Sequence, residues 1–248
     1  MTKIYDTIGV DYAHLRKSDP LITAAIEAGL GDAKTIVNVG AGAGSYEPEG
    51  RLVTAVEPSQ EMISQRANEN PVVQGVAEEL PFEDNSFDAA MATLTVHHWT
   101  DKQKGMQEMH RVARDRVVIL TFDAFFDGFW LMEYFPALQA LDKQQMPLMS
   151  DYQDWLGSAE VSVVPIPAQC TDGFLCAYWQ RPEAYLDEKV RAAMSSFWKI
   201  GDLSAGLQQL DSDLTNGRWE ERYGHLRSLD ALACGYRLVV SAAEDKST

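Results

Sequence analysis

The chain has 248 residues, 46% apolar and 23% charged, enough for one sizeable core in a globular α/β domain. Its formal net charge of −16 repels nucleic-acid phosphates and anionic membranes, which makes both poor candidates as partners. Three cysteines (Cys170, Cys176, Cys234) without a C-x-x-C pair argue against a disulfide framework or a zinc site and fit a reducing compartment. No apolar run reaches the ~18 residues of a membrane span and the first residues carry no signal core, so a cytoplasmic protein is expected.

In chain order, residues 1–33 read as a leader region. Asp19-Pro20 opens a helix whose inner face is Leu21, Ile22, Ala25, Ile26 and Leu30. Residues 35–46, TIVNVGAGAGSY, are an apolar strand running into Gly40, Gly42 and Gly44. A second strand, 52–56, ends in Glu57-Pro58, and Ser59 caps a helix expected over 59–68, with Met62 and Ile63 inward. A third strand is expected over 72–76 and a buried one over 87–94, followed by a loop, 95–99, carrying His97, His98 and Trp99. A helix over 102–112 then leads to a core strand over 116–122. Residues 161–165 and 236–241 are the remaining strand candidates. Two long excursions, 123–160 and 181–230, interrupt them, the second with helical stretches at 186–200 and 203–214.

The glycine turn carries the first functional signal. A strand feeding such a turn lets the backbone approach a ligand that any Cβ would keep away, and an acid at the tip of the next strand is placed to accept from a ribose diol. Glu57 is that acid. The spacing is G-x-G-x-G, with Ser45 where a dinucleotide fingerprint has its third glycine. Residues 45–50 are too few for a crossover helix, so no helix dipole awaits a pyrophosphate. A nucleoside without a phosphate fits better.

Four stretches together, NVGAGAG (38–44), AVEPS (55–59), GVAEELPFEDNSFD (75–88) and LTVHHWTD (94–101) with EMHRVAR (108–114), resemble the class I S-adenosylmethionine-dependent methyltransferases. The likeness is strongest to the small-molecule branch that includes quinone-biosynthesis enzymes, and it covers the first half of the chain. It implies a Rossmann-like α/β sheet of seven strands, the last antiparallel, in one domain over 1–248. A lid would occupy 1–33, a cofactor-binding core 34–122, and helical acceptor-side excursions 123–160 and 181–230. The implied cofactor is S-adenosyl-L-methionine, held by Tyr12, Arg16, Gly40, Ala41, Gly42, Gly44, Glu57, Pro58, Met62, Ala77, Glu78, Leu94 and His97. Arg16 is either a solvated helix residue or a partner for the methionine carboxylate, and Tyr12 could face the sulfonium. Two positions depart from the family pattern. Asn38 stands where a carboxylate is usual, and Val76 where an aspartate often receives the adenine amino group, leaving that contact to Ala77 or Glu78.

No metal cluster or Ser-His-Asp arrangement is expected. His97 and His98 are candidate bases, or they pack the loop; Asp123 is a further catalytic candidate, and Asp123 and Asp127, near a strand tip, are the acids expected to face the acceptor pocket. The aromatic residues of 122–155 either pack on the sheet or form a lid. On the second reading Trp130, Tyr134 and Trp155, with Tyr5 and Tyr178, line the acceptor pocket. The expected reaction is in-line methyl transfer to a small molecule. The alternatives are an internal displacement releasing methylthioadenosine, or a cofactor-binding protein without catalysis.

Overall fold

Helix α1 (Pro20–Leu30) starts where Asp19 accepts the N–H of Leu21 and Ile22, with proline at the first helical position, and it buries Ile22, Ile26 and Leu30. The structure is a computed structural model that describes residues 16–242, so Tyr5 and Tyr12 lie outside the described residues. Strands β1 (Thr35–Val39), β2 (Leu52–Glu57), β3 (Val72–Gln74), β4 (Phe87–Thr93) and β5 (Ala113–Phe122) pair in parallel, and β9 (Tyr236–Ala242) runs antiparallel between β5 and β6 (Ala159–Val163). The sheet order is β3-β2-β1-β4-β5-β9-β6. This is the class I methyltransferase sheet that the sequence motifs imply. A short ladder of β7 (Ile166–Pro167) and β8 (Ala231–Leu232) stands apart from it.

Alternation along the strands builds one core on each face. Ile36, Met91, Val118 and Leu120 pack with α1 on one side; Val37, Val39, Ala90 and Val117 pack on the other with Met106, Met109 and Val112 of α3 (Lys102–Val112). Helix α2 (Gln60–Ser64), capped by the Ser59 hydroxyl, is shorter than expected. Strand β3 stops at Gln74 because the chain turns at Gly75 and Val76 bridges to Glu79. Strand β6 starts two residues earlier than expected and ends before Pro165, which has no N–H to offer a ladder.

The first excursion divides between the two faces. Helices α4 (Leu131–Tyr134) and α5 (Pro136–Gln145) join the core on the α1 side, whereas α6 (Met149–Leu156) packs beside α3. The second supplies α7 (Glu188–Ala192), α8 (Ser195–Lys199), α9 (Ser204–Thr215) and α10 (Arg218–Tyr223). Among the described residues no helix is long and apolar enough to cross a membrane, and no cluster of His, Cys, Asp and Glu could hold a metal ion.

Candidate active site

Strand β1 lies between β2 and β4, where the strand order reverses, and ligands of open α/β sheets bind beyond the carboxyl ends at that point. A cavity of about 620 Å³ opens there, with Gly40, Ala41 and Gly42 at its floor, Glu57, Pro58 and Met62 from the β2 side, and Ala77, Glu78, Leu94 and His97 from the following loops.

The glycine turn is held by its neighbours. Gly40 and Ala41 donate their N–H groups to the Val56 carbonyl at 2.8 and 3.1 Å. A side chain at Gly40 (φ 69°) would put its Cβ 2.2 Å from Thr95 Oγ1. Glu57, only 7% exposed, accepts the N–H of Gly42 at 2.8 Å on one carboxylate oxygen and that of Ser59 at 2.9 Å on the other. Burial pushes its carboxyl above the usual range, while these two donors pull it back. Each oxygen keeps capacity for another donor.

Beneath the turn, buried Asn38, a residue of the cavity lining, donates to Glu47 at 3.0 Å, and its buried Oδ1 has no hydrogen-bond partner. Glu47 is clasped by Arg66, with 2.8 Å to both oxygens, and by the amides of Asn68 and Asn70. This largely buried ion pair shapes residues 45–50 in place of a helix. Gly44 faces Arg66 and Asn68, away from the cavity.

Beyond Leu94 the lining changes character. His97 and His98 form a single 3₁₀ turn, their ring centroids 3.8 Å apart, and both are half-buried with surface opening into the cavity. Burial drives both imidazoles below their ordinary range, His98 to about 3, and the charges of Lys199 and Lys102 add to the effect. Lys199 donates to Gln145 Oε1 at 2.9 Å and Lys102 to the Trp99 carbonyl at 3.2 Å. Arg16 reaches the same region while paired with buried Asp172, which also accepts from the Tyr46 hydroxyl at 2.9 Å. A smaller cavity of about 90 Å³ adjoins there, sharing Arg16, His97, His98, Gln145 and Ser195 with the first and adding Phe174, Tyr236 and Asp142. Burial pushes the Asp142 carboxyl up to about 7, with Lys199 opposing the rise.

A family model described as a methyltransferase domain matches residues 37–121. A crystal structure of a protein described as a "putative methyltransferase from antibiotic biosynthesis pathway" of Anabaena variabilis is 34% identical, with a TM-score of 0.84 over 92% of this chain and 98% of that one. The chain belongs to the class I S-adenosylmethionine-dependent methyltransferases. Curated relatives match over shorter spans. Rice 2-methyl-6-phytyl-1,4-hydroquinone methyltransferase 2 is 28% identical over 138 residues, 50% of this chain and 38% of that protein. Demethylmenaquinone methyltransferase of Desulfitobacterium hafniense is 35% identical over 109 residues, 39% of each chain. The chain thus spans well under two thirds of the length of these curated relatives.

Several residues expected at a methyltransferase acceptor pocket lie elsewhere. Trp130, 2% exposed, donates its indole N–H to the Trp179 carbonyl at 2.9 Å. The Tyr134 hydroxyl bonds Asp213, Trp155 packs beside Tyr152 on the α3 side of the sheet, and the Tyr178 ring lies under Arg181. None of the four lines either cavity described above. Asp123 pairs with Arg237 and Asp127 accepts from Gln139, also outside both linings. Glu78 accepts the N–H groups of Thr100 and Asp101 at 2.6 and 3.0 Å.

Asp142, Gln145, Ser195 and Lys199 line the cavities, and sequence reasoning passed over them. A faint signal exists. Leu138, Asp142 and Gln145 share one stripe of α5, so two polar residues continue a buried apolar face.

Proposed function

We propose that the chain transfers a methyl group from S-adenosyl-L-methionine to a small-molecule acceptor. The observation that carries this reading is the Glu57–Gly42 bond at the reversal point of the sheet, beside the unpartnered Asn38 Oδ1. The spare acceptor capacity of Glu57 suits a ribose diol, Ala77 and Glu78 suit the adenine edge, and the bare backbone of residues 40–42 suits close approach of the methionine part. The Asn38 carbonyl oxygen suits the ammonium of that part, with Arg16 near its carboxylate. When bound, the cofactor supplies a methyl group on a sulfonium, an excellent leaving group.

The protein's part is then to hold two reactants in line and exclude water, and orientation alone can lower such a barrier by roughly 7–11 kcal/mol. Residues 34–122 would form the cofactor side, and α5 and α8, from the two excursions, the acceptor side. His97 and His98, held neutral, are poor bases at pH 7, so the reading favours an acceptor that arrives with a ready lone pair. The test is incubation with S-adenosylmethionine and a metabolite extract, followed by mass spectrometry. S-adenosylhomocysteine forming only when extract is present supports methyl transfer. Release of methylthioadenosine, or an unchanged cofactor with every extract, contradicts it.

A further inference from the structure

Acidic residues outnumber basic ones 37 to 21 in this chain, yet the cavity lining includes Arg16, Lys102 and Lys199 along with the His97–His98 pair. The acids of the main cavity, Glu57 and Glu78, are engaged with backbone N–H groups of the cofactor side. Arg16 is neutralised by Asp172. Lys199 and Lys102 are not neutralised in this way. Their ammonium groups donate to an amide oxygen and a backbone carbonyl, and among the described residues neither has a carboxylate within 4.0 Å. Asp142 is the acid of the adjoining small cavity; it makes no ion pair with Lys199 within 4.0 Å, and its charge acts on that ammonium only from a distance.

A partly buried ammonium with no carboxylate in contact is costly, and burial lowers the pKa of Lys199, with the charge of Asp142 opposing the shift. The cofactor brings a further positive centre, the sulfonium, into the same enclosure. Two neutral imidazoles beside these cations can donate or accept hydrogen bonds but supply no negative charge.

Resting on the methyltransferase reading for the position of the cofactor, we infer that the acceptor is an organic anion, a molecule whose carboxylate or ionised hydroxyl seats against Lys199 and Lys102 beside the His97–His98 pair. The cationic wall would also keep an acidic hydroxyl ionised, which removes the need for a strong base in the lining.

The experiment uses the full-length protein loaded with S-adenosylhomocysteine and matched aromatic sets: benzoates, the corresponding benzamides and benzylamines, and nitrophenols of low pKa. Binding is followed by ligand-observed NMR at pH 7.5, with S-adenosylhomocysteine affinity measured on every protein. The expected result is that anionic members bind about tenfold or more tightly than their matched amides, the benzylamines bind weakest, and the preference shrinks about tenfold in Lys199→Gln. Benzoate and nitrophenol arms separate a carboxylate from an ionised hydroxyl. Amides or amines binding as well as the anions, no set member binding, or an anion preference that survives both Lys199→Gln and Lys102→Gln would overturn the inference. Failure to bind S-adenosylhomocysteine would instead overturn the cofactor assignment beneath it.

Discussion

Gly40 is where a single atom decides the site. Its φ of 69° disfavours any L side chain, and an added Cβ would lie 2.2 Å from Thr95 Oγ1 in the loop that also carries the histidines. Gly40→Ala is therefore expected to cost at least about 1–2 kcal/mol of stability from the backbone alone, with more from the displaced Thr95, read as a lowered melting temperature. A variant melting like the wild type would mean the turn relaxes freely. The histidines make a second residue-scale prediction. Folded His97 and His98 hold their imidazoles neutral, His98 down to about 3, whereas an unfolded imidazole titrates near 6.5. As pH falls from about 6.5 toward 3, the unfolded chain takes up protons that the folded one refuses, so stability declines through that window. Melting curves should fall from pH 7 to pH 5 and fall less in the His97→Gln/His98→Gln double variant; equal slopes would contradict the buried-neutral state. Gly40, Gly42 and Glu57 were legible because a strand exit and the next strand tip set their spacing. Asp142 and Lys199 were not, because they reach the two adjoining cavities only through the packing of α5 against α8.

At the scale of elements, the aromatic excursion shows what periodicity can and cannot tell. A helical pattern and many rings were evident between 122 and 155, but not which side of the sheet each helix would cover. Trp130 sits edge-on to Tyr134, Tyr185 and Trp219, with centroids 5.4–5.9 Å apart, in the α1-side core. Tyr152 packs on the α3 side, its hydroxyl 2.8 Å from Thr121. Trp130→Ala should thus act as a core deletion, costing about 3–5 kcal/mol in chemical denaturation, with cofactor affinity retained in the fraction that folds. A normally stable variant with impaired turnover would restore the lid reading for this residue. The N-terminal approach is also an element-scale feature. Asp19 caps α1 and accepts from Thr171, while Arg16 and Tyr46 converge on Asp172, so the segment before α1 is tied to the 170s loop beside the cavity. Nothing local in the sequence pairs residues 156 positions apart.

For the whole molecule, alternation of apolar strands with helical stretches announced the parallel half of the sheet, and the motifs supplied its functional end. The second half was harder to read because its strands pair across long separations: β9, which lies between β5 and β6, follows them in the chain only after the second excursion. A net charge of −16 likewise speaks for the surface and conceals a cavity whose lining includes Arg16, Lys102 and Lys199. The account as a whole stands on the proposal that the cofactor binds at the reversal point of the sheet. The measurement that tests it most directly is calorimetric titration of the full-length protein and of Glu57→Ala with S-adenosylmethionine. One saturable site in the wild type, lost or weakened at least about tenfold in Glu57→Ala, is the predicted result. No binding by the wild type, or equal affinity in the two proteins, would contradict it.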